Sequence, residues 1–399
     1  MSYLRIGTGY YKIVNVPMAN GSKTKQITKW SRQNIIDDNS KDYLTDIDKY
    51  DGFTVIPSHS DYKQTIDGFY NLYNPLSHKN IENVKEDDIP YSIGFLKHIF
   101  EDQFNLGLDY LSILYQYPMQ ILPILCLVSE ERNTGKTTFL NLMSWLFEDN
   151  TTFIRNADIS SRFNNDWSNK LIIAVDEVYL DKAEDTERIK CLATAKQLKE
   201  EGKGKDKVAV DFFGKLIFCS NKVHNFIRID ESETRFWVRE IKTLEKYYEN
   251  FESKLKYELP YLISYIANRK ISTPSRSRMW FKSDDIKTSA LNKLKYHSKA
   301  TVKKEIISFL KDRFDTFEVE TLKYCNAELI EALNNYNVRI NTGHLSHILE
   351  DKWKLKSTNS SYLKYYLSRV PGSNKMSVQS EQNKGRYYTF EKEFIYAIN

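Results

Sequence analysis

A segment able to hold a phosphate chain follows the apolar run Ile124–Val128. Its residues are Asn133, Thr134, Gly135, Lys136, Thr137 and Thr138, and an amphipathic helix is predicted from Thr137 to Phe147. A strand, a loop and a helix in this order are the context that a phosphate-binding Gly-Lys-Thr motif requires. Backbone N–H groups at the helix start would surround the phosphates. Lys136 would reach the β and γ oxygens, and the Thr137 hydroxyl would bind Mg²⁺.

One position departs from the full motif, because Glu130 stands where the first glycine belongs. Glu130 and Glu131 place two adjacent carboxylates near a triphosphate, which disfavours binding, and Arg132 offsets one of them. A chance Gly-Lys-Thr at the start of a helix is the competing interpretation. The buried strand before the loop and the amphipathic helix after it favour ATP and Mg²⁺ binding by this segment.

Two further apolar strands end in polar residues. Leu171–Val175 runs into Asp176 and Glu177, and Leu216–Cys219 runs into Ser220 and Asn221. In a phosphate-loop ATPase the first carboxylate orients the Mg²⁺ shell, and the second positions and activates the attacking water. An amide such as that of Asn221 would hold this water and sense the γ-phosphate. Each pair alone also describes an ordinary turn, so the prediction depends on their joint order.

An arginine follows the third strand and would stabilise charge in the transition state. Such an arginine, with Arg235 as one candidate, would act across a subunit boundary, and a surface arginine before a strand is the alternative. Arg228 and Arg239 lie nearby, and the sequence does not separate the three.

The elements that must position these residues alternate between helix and strand. Helical spacing extends over Ile93–Tyr117, before the first of the three apolar strands. Fully apolar strands alternating with helices predict an α/β fold with a mainly parallel sheet covered on both faces. We therefore expect an ATPase core over residues 93–271 with a leading helical segment. A small mixed α+β accessory domain is predicted over residues 1–92, where β-like runs occur at Tyr10–Val14 and Gly52–Ile56.

Residues 272–399 form a basic C-terminal domain. They carry 22 Lys and Arg against 14 Asp and Glu, a net charge of +8 in a chain whose total is +5. Helical patterns are followed by two extended runs, Lys375–Val378 and Arg386–Phe390, which predict a hairpin around a polar turn. Helices followed by a hairpin indicate a winged-helix-like domain, and the basic charge indicates a polyanion contact.

The ordered set of motifs from Asn133 to Arg235 resembles the superfamily 3 helicases, AAA+ type replicative ATPases of small viruses, phages and plasmids. The most similar group is the poxvirus-type primase-associated helicases. The resemblance implies that Lys136 and Thr137 bind ATP and Mg²⁺, that Asp176 and Glu177 are the second-motif carboxylates, and that Asn221 is the sensor. It also implies Arg235 as the arginine finger and a homohexameric ring around single-stranded or forked DNA. A separate primase or polymerase would be a partner.

A lysine-rich segment between the second and third strands would contact the DNA. Lys203, Lys205 and Lys207 alternate with glycines before a β-like run, which predicts a hairpin tip. In the resembling family a hairpin in this slot enters the central channel, and lysines there would bind phosphates without sequence preference. A solvated surface hairpin is the alternative, because Glu200 and Glu201 dilute the charge.

Three functions compete for this set of motifs. The first is an ATP-driven DNA helicase or translocase in the replication of a phage or mobile element. The second is a non-unwinding initiator, loader or defence module that uses ATP as a switch. The third is a structural ring in which Glu130 disables nucleotide binding. Primase activity and a metal site at His344 and His347 are not expected.

Composition narrows the surroundings in which the chain works. With 399 residues, 41% hydrophobic and 28% charged, wholesale disorder is excluded. The longest apolar stretch, Gln120–Val128, is far below the roughly 20 residues that a membrane-spanning helix needs. The N-terminus does not have the pattern of a signal peptide. Four cysteines without metal-knuckle spacing fit a reducing compartment, so we expect the cytoplasm of a bacterial host.

Overall fold

The computed structural model describes residues 2–17, 23–180, 182–201, 207–244, 249–274, 278–336, 338, 340–369 and 376–398. The chain divides into two compact units. The larger, called the core unit, comprises Met1–Tyr179, Arg188–Val223 and Thr234–Leu291. The smaller, called the C-terminal unit, comprises Leu180–Glu187, His224–Glu233 and Asn292–Asn399. The proposed accessory region 1–92 therefore lies in the same unit as most of region 93–271.

The N-terminal part of the core unit is rich in short strands. Its elements are β1 (Ser2–Ile6), β2 (Gly9–Pro17), β3 (Lys23–Trp30), α1 (Arg32–Asp38), β4 (Asp48–Tyr50), β5 (Phe53–Thr54), β6 (Thr65–Ile66) and β7 (Phe69–Asn71). One sheet has the order β3-β2-β1-β4 and another has the order β5-β7-β6. The first predicted run lies within β2 and the second includes β5. Small clusters of Leu, Ile and Tyr side chains hold these sheets together.

The rest of the core unit alternates helix and strand. One of its helices, Ala183–Leu192, begins in the C-terminal unit and continues into the core unit. The elements are α2 (Pro90–Phe100), α3 (Phe104–Gln116), β8 (Ile124–Val128), α4 (Lys136–Phe147), β9 (Thr151–Phe153), α5 (Asn156–Ser160), β10 (Ile172–Val175), α6 (Ala183–Leu192), β11 (Gln197–Glu200), β12 (Val208–Asp211), β13 (Lys215–Ser220), β14 (Phe236–Glu240) and α7 (Phe251–Asn268). Strands β14, β8, β13, β10 and β9 lie side by side in that order, each parallel to its neighbours. The predicted mainly parallel sheet of an α/β fold is confirmed.

The strand order has a direct consequence for the predicted site. Strand β13 lies between β8 and β10, so the carboxyl ends of these three strands meet at one edge of the sheet. Every residue of β8, β10 and β13 is buried. Such strands need cover on both faces, and the hydrophobic cluster that they share with α2, α3, α4 and α7 covers one of these faces. The polar residues that follow each strand are therefore delivered to a common surface.

The helical segment predicted over Ile93–Tyr117 is broken in the structure. Helix α2 ends at Phe100, Glu101 takes a positive φ of 43°, and a short 3₁₀ turn precedes α3. The break places Gln103 where its Oε1 accepts hydrogen bonds from Trp237 Nε1 at 2.8 Å and Arg239 Nη1 at 2.9 Å. These partners lie on β14, far along the chain, so local periodicity did not reveal the break.

The C-terminal unit contains most of the remaining elements. They are α8 (Ser289–Phe317), β15 (Thr321–Tyr324), α9 (Asn326–Asn335), α10 (Thr342–Ser346), a π-helix (His347–Lys352), β16 (Thr358–Arg369), β17 (Met376–Glu391) and α11 (Lys392–Ala397). Helix α8 begins in the core unit and continues into this one. The sheet has the order β15-β17-β16, and a separate hydrophobic cluster forms the core of this unit.

The two runs predicted to form the terminal hairpin do not pair with each other. Residues Met376–Val378 and Arg386–Phe390 both lie on β17, and the partner strand is β16. Lys375, the first residue of the predicted pair, lies outside the described residues. The polar stretch inside β17 resembled a turn because the outer part of this two-stranded ribbon is exposed on both faces. In the part of the chain that the structure describes, no helix is long and apolar enough to cross a membrane.

Candidate nucleotide-binding site

The loop after β8 depends on the backbone conformation of Gly135. This residue has a φ of +87°, in the left-handed region that favours glycine. A Cβ at Gly135 would lie 2.8 Å from the Phe95 ring, which is closer than real carbon contacts allow. Asn133 also has a positive φ, 56°. The loop therefore turns tightly and enters α4 with the first free N–H groups of the helix directed into it.

Lys136 lies inside this loop and is only 7% exposed. Its Nζ donates to Thr134 Oγ1 at 3.1 Å and to the carbonyl oxygens of Ser129 and Glu131, both at 3.3 Å. Burial lowers the pKa of Lys136, and the nearby Asp176 carboxylate opposes that shift. Neutral acceptors thus hold the ammonium group inside the loop.

Thr137 and Asp176 meet across the edge of the sheet. Thr137 Oγ1 donates to Asp176 Oδ2 at 3.0 Å, although 39 residues separate them. The other oxygen, Oδ1, accepts from the backbone N–H of Glu177 at 3.0 Å. A hydroxyl and a carboxylate oxygen side by side form a donor set that suits a hard cation such as Mg²⁺. The two residues predicted to share the metal are therefore brought together.

Glu177 and Asn221 also converge at this edge. Asn221 Nδ2 lies 3.5 Å from Glu177 Oε1, and both residues are exposed. Backbone contacts fix the separation of the two loops, because Val178 N–H donates to the Cys219 carbonyl at 2.8 Å. Ser220 Oγ donates to the Val178 carbonyl at 2.9 Å. The predicted second carboxylate and the predicted sensor amide thus face the same solvent-accessible point.

Asn156 is a residue at this edge that the sequence analysis missed. Its Nδ2 donates to the Glu177 carbonyl at 3.3 Å, and its Oδ1 accepts from the Tyr179 N–H at 3.2 Å. These bonds clasp the backbone on both sides of Val178. Glu177 has a positive φ of 55°, so the clasp holds a strained turn. Its position shortly after β9, at the same edge of the parallel sheet, was the available signal.

The three candidate arginines occupy different environments. Arg239 lies on β14, is 5% exposed, and pairs with Asp102 at 3.0 Å and Glu101 at 3.4 Å. A guanidinium buried in its own subunit cannot act on a neighbouring one. Arg228 belongs to the C-terminal unit, where its Nη1 is 2.6 Å from Glu305 Oε1. Arg235 is half-buried directly before β14.

A cavity of about 730 Å³ adjoins the candidate phosphate-binding loop, which is the segment between β8 and α4 (residues 129–135). Its lining combines loop residues with aromatic side chains of α2 and α7, among them Asn133, Gly135, Thr138, Phe95, His98 and Phe251. His98 Nε2 lies 3.0 Å from the Thr134 carbonyl oxygen, which ties α2 to the loop. The volume falls in the range of small-molecule sites, and the aromatic walls suit a planar base. The sequence did not indicate this cavity, because its walls come from distant segments.

The predicted hairpin is formed by β11 and β12, which pair antiparallel. Lys203 and Lys205 lie outside the described residues. Lys207 is exposed, and its Nζ is 2.9 Å from Glu201 Oε2. One of the glutamates that dilutes the hairpin's charge is thus paired within the hairpin.

Comparison with known proteins gives a fold and a family match for part of the chain. A family of unknown function, DUF5906, matches residues 127–235. The apo structure of the NrS-1 C-terminal region, residues 305–718, is similar with a TM-score of 0.56 and 15% identity over 97% of this chain and 95% of that one. A second apo form of the same region has a TM-score of 0.54 and 16% identity, over 90% and 84%. A search of curated protein sequences found no match.

These similarities establish a shared fold and extend over both units. The family match begins within β8 and ends at Arg235, so it includes every predicted nucleotide and catalytic residue. At 15–16% identity the similar structures carry no further conclusion about activity.

Proposed function

We propose that the chain is an ATP-dependent DNA helicase or translocase that acts in phage DNA replication. The observation that carries this proposal is the hydrogen bond between Thr137 and Asp176, with Glu177 and Asn221 converging beside it. A chance Gly-Lys-Thr would have no reason to meet a strand-end carboxylate 39 residues away. The same geometry supports a phosphate-loop ATPase core of the AAA+ type.

The residues present fit ATP and Mg²⁺. Lys136 and the loop N–H groups would hold the phosphates, and Thr137 and Asp176 would hold the metal. The base would enter the cavity beside Phe95 and His98. Magnesium would screen the charge of the β and γ phosphates. Glu130 is exposed, so solvent weakens its repulsion of a bound phosphate chain.

The chain's own residues divide the remaining work. Glu177 would accept a proton from the attacking water, because its carboxylate is exposed at the sheet edge and is held by Asn221. Asn156 would keep the Glu177 turn in place. Arg235 would stabilise the charge of the transition state in a neighbouring subunit of a homohexamer, while Arg239 is a structural residue.

The C-terminal unit supports a DNA function. From α8 onward its elements are a helix, a strand, two helices, a π-helix, two strands and a short helix, and β17 lies between β15 and β16 in the sheet. This order supports a winged-helix-like domain, and residues 292–399 of the unit carry 18 Lys and Arg against 12 Asp and Glu. Basic charge on such a module favours contact with the DNA backbone. A non-unwinding initiator, loader or defence module remains the alternative, because the site alone does not distinguish switching from translocation.

Two substitutions test the ATPase site. Lys136→Ala removes the ammonium group and should abolish ATP hydrolysis. Glu177→Gln retains the shape of the side chain but not its basicity, so ATP should still bind while turnover stops. The readouts are phosphate release and binding of a fluorescent ATP analogue. Full hydrolysis by Lys136→Ala would show that the loop assignment is wrong.

A further inference from the structure

A second cavity, of about 590 Å³, lies in the core unit near the base of the β11–β12 hairpin. It adjoins the segment that enters β8, whereas the phosphate-binding loop follows the other end of that strand. Its lining includes Met119, Ile121, Lys196, Asp211, Phe212 and Arg278. The cavity therefore belongs to neither the phosphate-binding loop nor the base cavity.

The walls of this cavity are held by internal hydrogen bonds. Gln120 Nε2 donates to the Arg278 carbonyl at 2.8 Å, and Trp280 N–H donates to the Ile121 carbonyl at 3.1 Å. Lys215, 3% exposed, donates to the carbonyl oxygens of Pro118 and Phe213, each beside a lining residue. The buried Lys215 side chain thus links the two segments that carry the lining residues Met119 and Phe212.

The chemistry of the lining combines apolar surface with positive charge. Met119, 51% exposed, lies with Ile121 and Phe212 on the apolar side. Lys196 and Arg278 supply exposed cations, and the one lining carboxylate, Asp211, accepts from Gln197 at 3.2 Å. A nucleotide needs this combination, because its base requires an apolar or aromatic surface and its phosphate requires cations.

The surroundings favour a polymer over a free nucleotide. Tyr117, two residues before Met119, is exposed, and its ring centroid lies 5.4 Å from that of Trp280. Trp280 is buried, and the exposed Tyr117 ring offers a second stacking surface next to the cavity. Along the described part of the hairpin, Lys199 is an exposed cation, Glu200 accepts from Ser168, and Glu201 pairs with Lys207.

We propose that this cavity holds one nucleotide of a single-stranded nucleic acid at the base of the hairpin, with its phosphate on Lys196 and Arg278 and its base against Met119. The inference rests on the proposed translocase function, because a moving strand needs a holding point outside the hairpin tip. Binding at this point is independent of the phosphate-binding loop.

The test is fluorescence anisotropy of the full chain with a labelled single-stranded oligodeoxynucleotide, without ATP, over a range of salt concentrations. Lys196→Glu and Arg278→Glu should each weaken binding and lower the slope of log K against log salt by about 0.7. Lys287→Glu, an exposed charge reversal of the same unit outside the cavity, should leave both unchanged. Thermal melting checks that each variant is folded. If Lys196→Glu melts early, Lys196→Arg, which keeps the positive charge, is measured as well and should bind the strand as the wild type does.

Two further probes separate the ligands. Met119→Ala should weaken binding of the intact strand and not of the same strand with abasic sites, since only the base contacts Met119. Equal effects of Lys196→Glu and Lys287→Glu would overturn the proposal, as would binding of deoxyadenosine monophosphate as tight as that of the strand. The assay contains no ATP, so its result does not depend on whether the chain hydrolyses ATP.

Discussion

Lys215 gives the structure an unusual dependence of stability on pH. It is buried at the start of β13, where it donates to the Pro118 and Phe213 carbonyl oxygens. Burial lowers its pKa from 10.5 to about 7. The folded state therefore disfavours the charged form, and folding must release a proton or bear the cost of burying the charge.

The size and sign of the effect follow from linkage. Between pH 10.5 and about 7 the unfolded chain binds a proton that the folded chain does not, so this contribution to stability falls as pH falls. One unit of pKa shift is about 1.4 kcal/mol, so the full shift corresponds to about 5 kcal/mol across that window. Below pH 7 both states are protonated and the contribution becomes constant.

Lys215→Met isolates this contribution. The substitution retains much of the side-chain volume and removes the titrating group, while leaving two carbonyl oxygens without their donor, at a cost of about 1–3 kcal/mol each. That cost does not depend on pH, so the slope of unfolding free energy against pH is the informative quantity. Urea titrations at several pH values between 7 and 10.5 should give a slope about 1.4 kcal/mol per pH unit lower in Lys215→Met than in the wild type.

Lys287→Met, which alters an exposed lysine, is the matched control and should retain the wild-type slope. Equal slopes for Lys215→Met and the wild type would refute the reasoning. They would show that Lys215 keeps its ordinary pKa in the folded chain, and that burial by the Pro118 and Phe213 segments does not desolvate it.

Three other perturbations probe separate parts of the structure. Burial lowers the pKa of His59 from 6.5 to about 4, so the contribution of His59 to stability should be lost as pH falls from 6.5 to 4. His59→Gln should flatten this part of a plot of melting temperature against pH, and an unchanged plot would contradict the prediction. Asn156→Ala should lower the rate of ATP hydrolysis while ATP affinity is retained, as measured by phosphate release and analogue binding, whereas a parallel loss of both would point to general misfolding of the loop. Arg239→Ala should lower the free energy of unfolding in urea by about 1–3 kcal/mol, because it removes a buried side chain that contacts Gln103, Asp102 and Glu101. Arg235→Ala should instead keep its stability and inhibit wild-type subunits on mixing; the reverse pattern would exchange the two roles.

The sequence predicted the parts of the site that are set by local pattern. The apolar strands, the loop before α4 and the polar residues at the ends of β10 and β13 all follow from periodicity and spacing. The parallel sheet then brings Thr137 to Asp176 and Asn221 to Glu177. Which of these groups act in catalysis remains a prediction.

Features that depend on distant partners could not be predicted from local patterns. The break at Glu101 is coupled to Arg239, and the cavity beside the loop is built from α2 and α7. The partner strand of Arg386–Phe390 was predicted wrongly. A strand that is exposed on both faces has no alternating apolar pattern from which its extent and pairing can be inferred. Arg239 could be separated from Arg235 only by its burial.

The proposed function is tested most directly by unwinding of a forked DNA duplex in the presence of ATP, with wild-type protein and Glu177→Gln compared in the same assay. Strand separation by the wild type, together with ATP hydrolysis that increases on addition of single-stranded DNA, is the predicted result, and Glu177→Gln should bind the fork without opening it. ATP-dependent binding of the fork with no strand separation by the wild type would contradict the helicase assignment and favour the switch-like alternative.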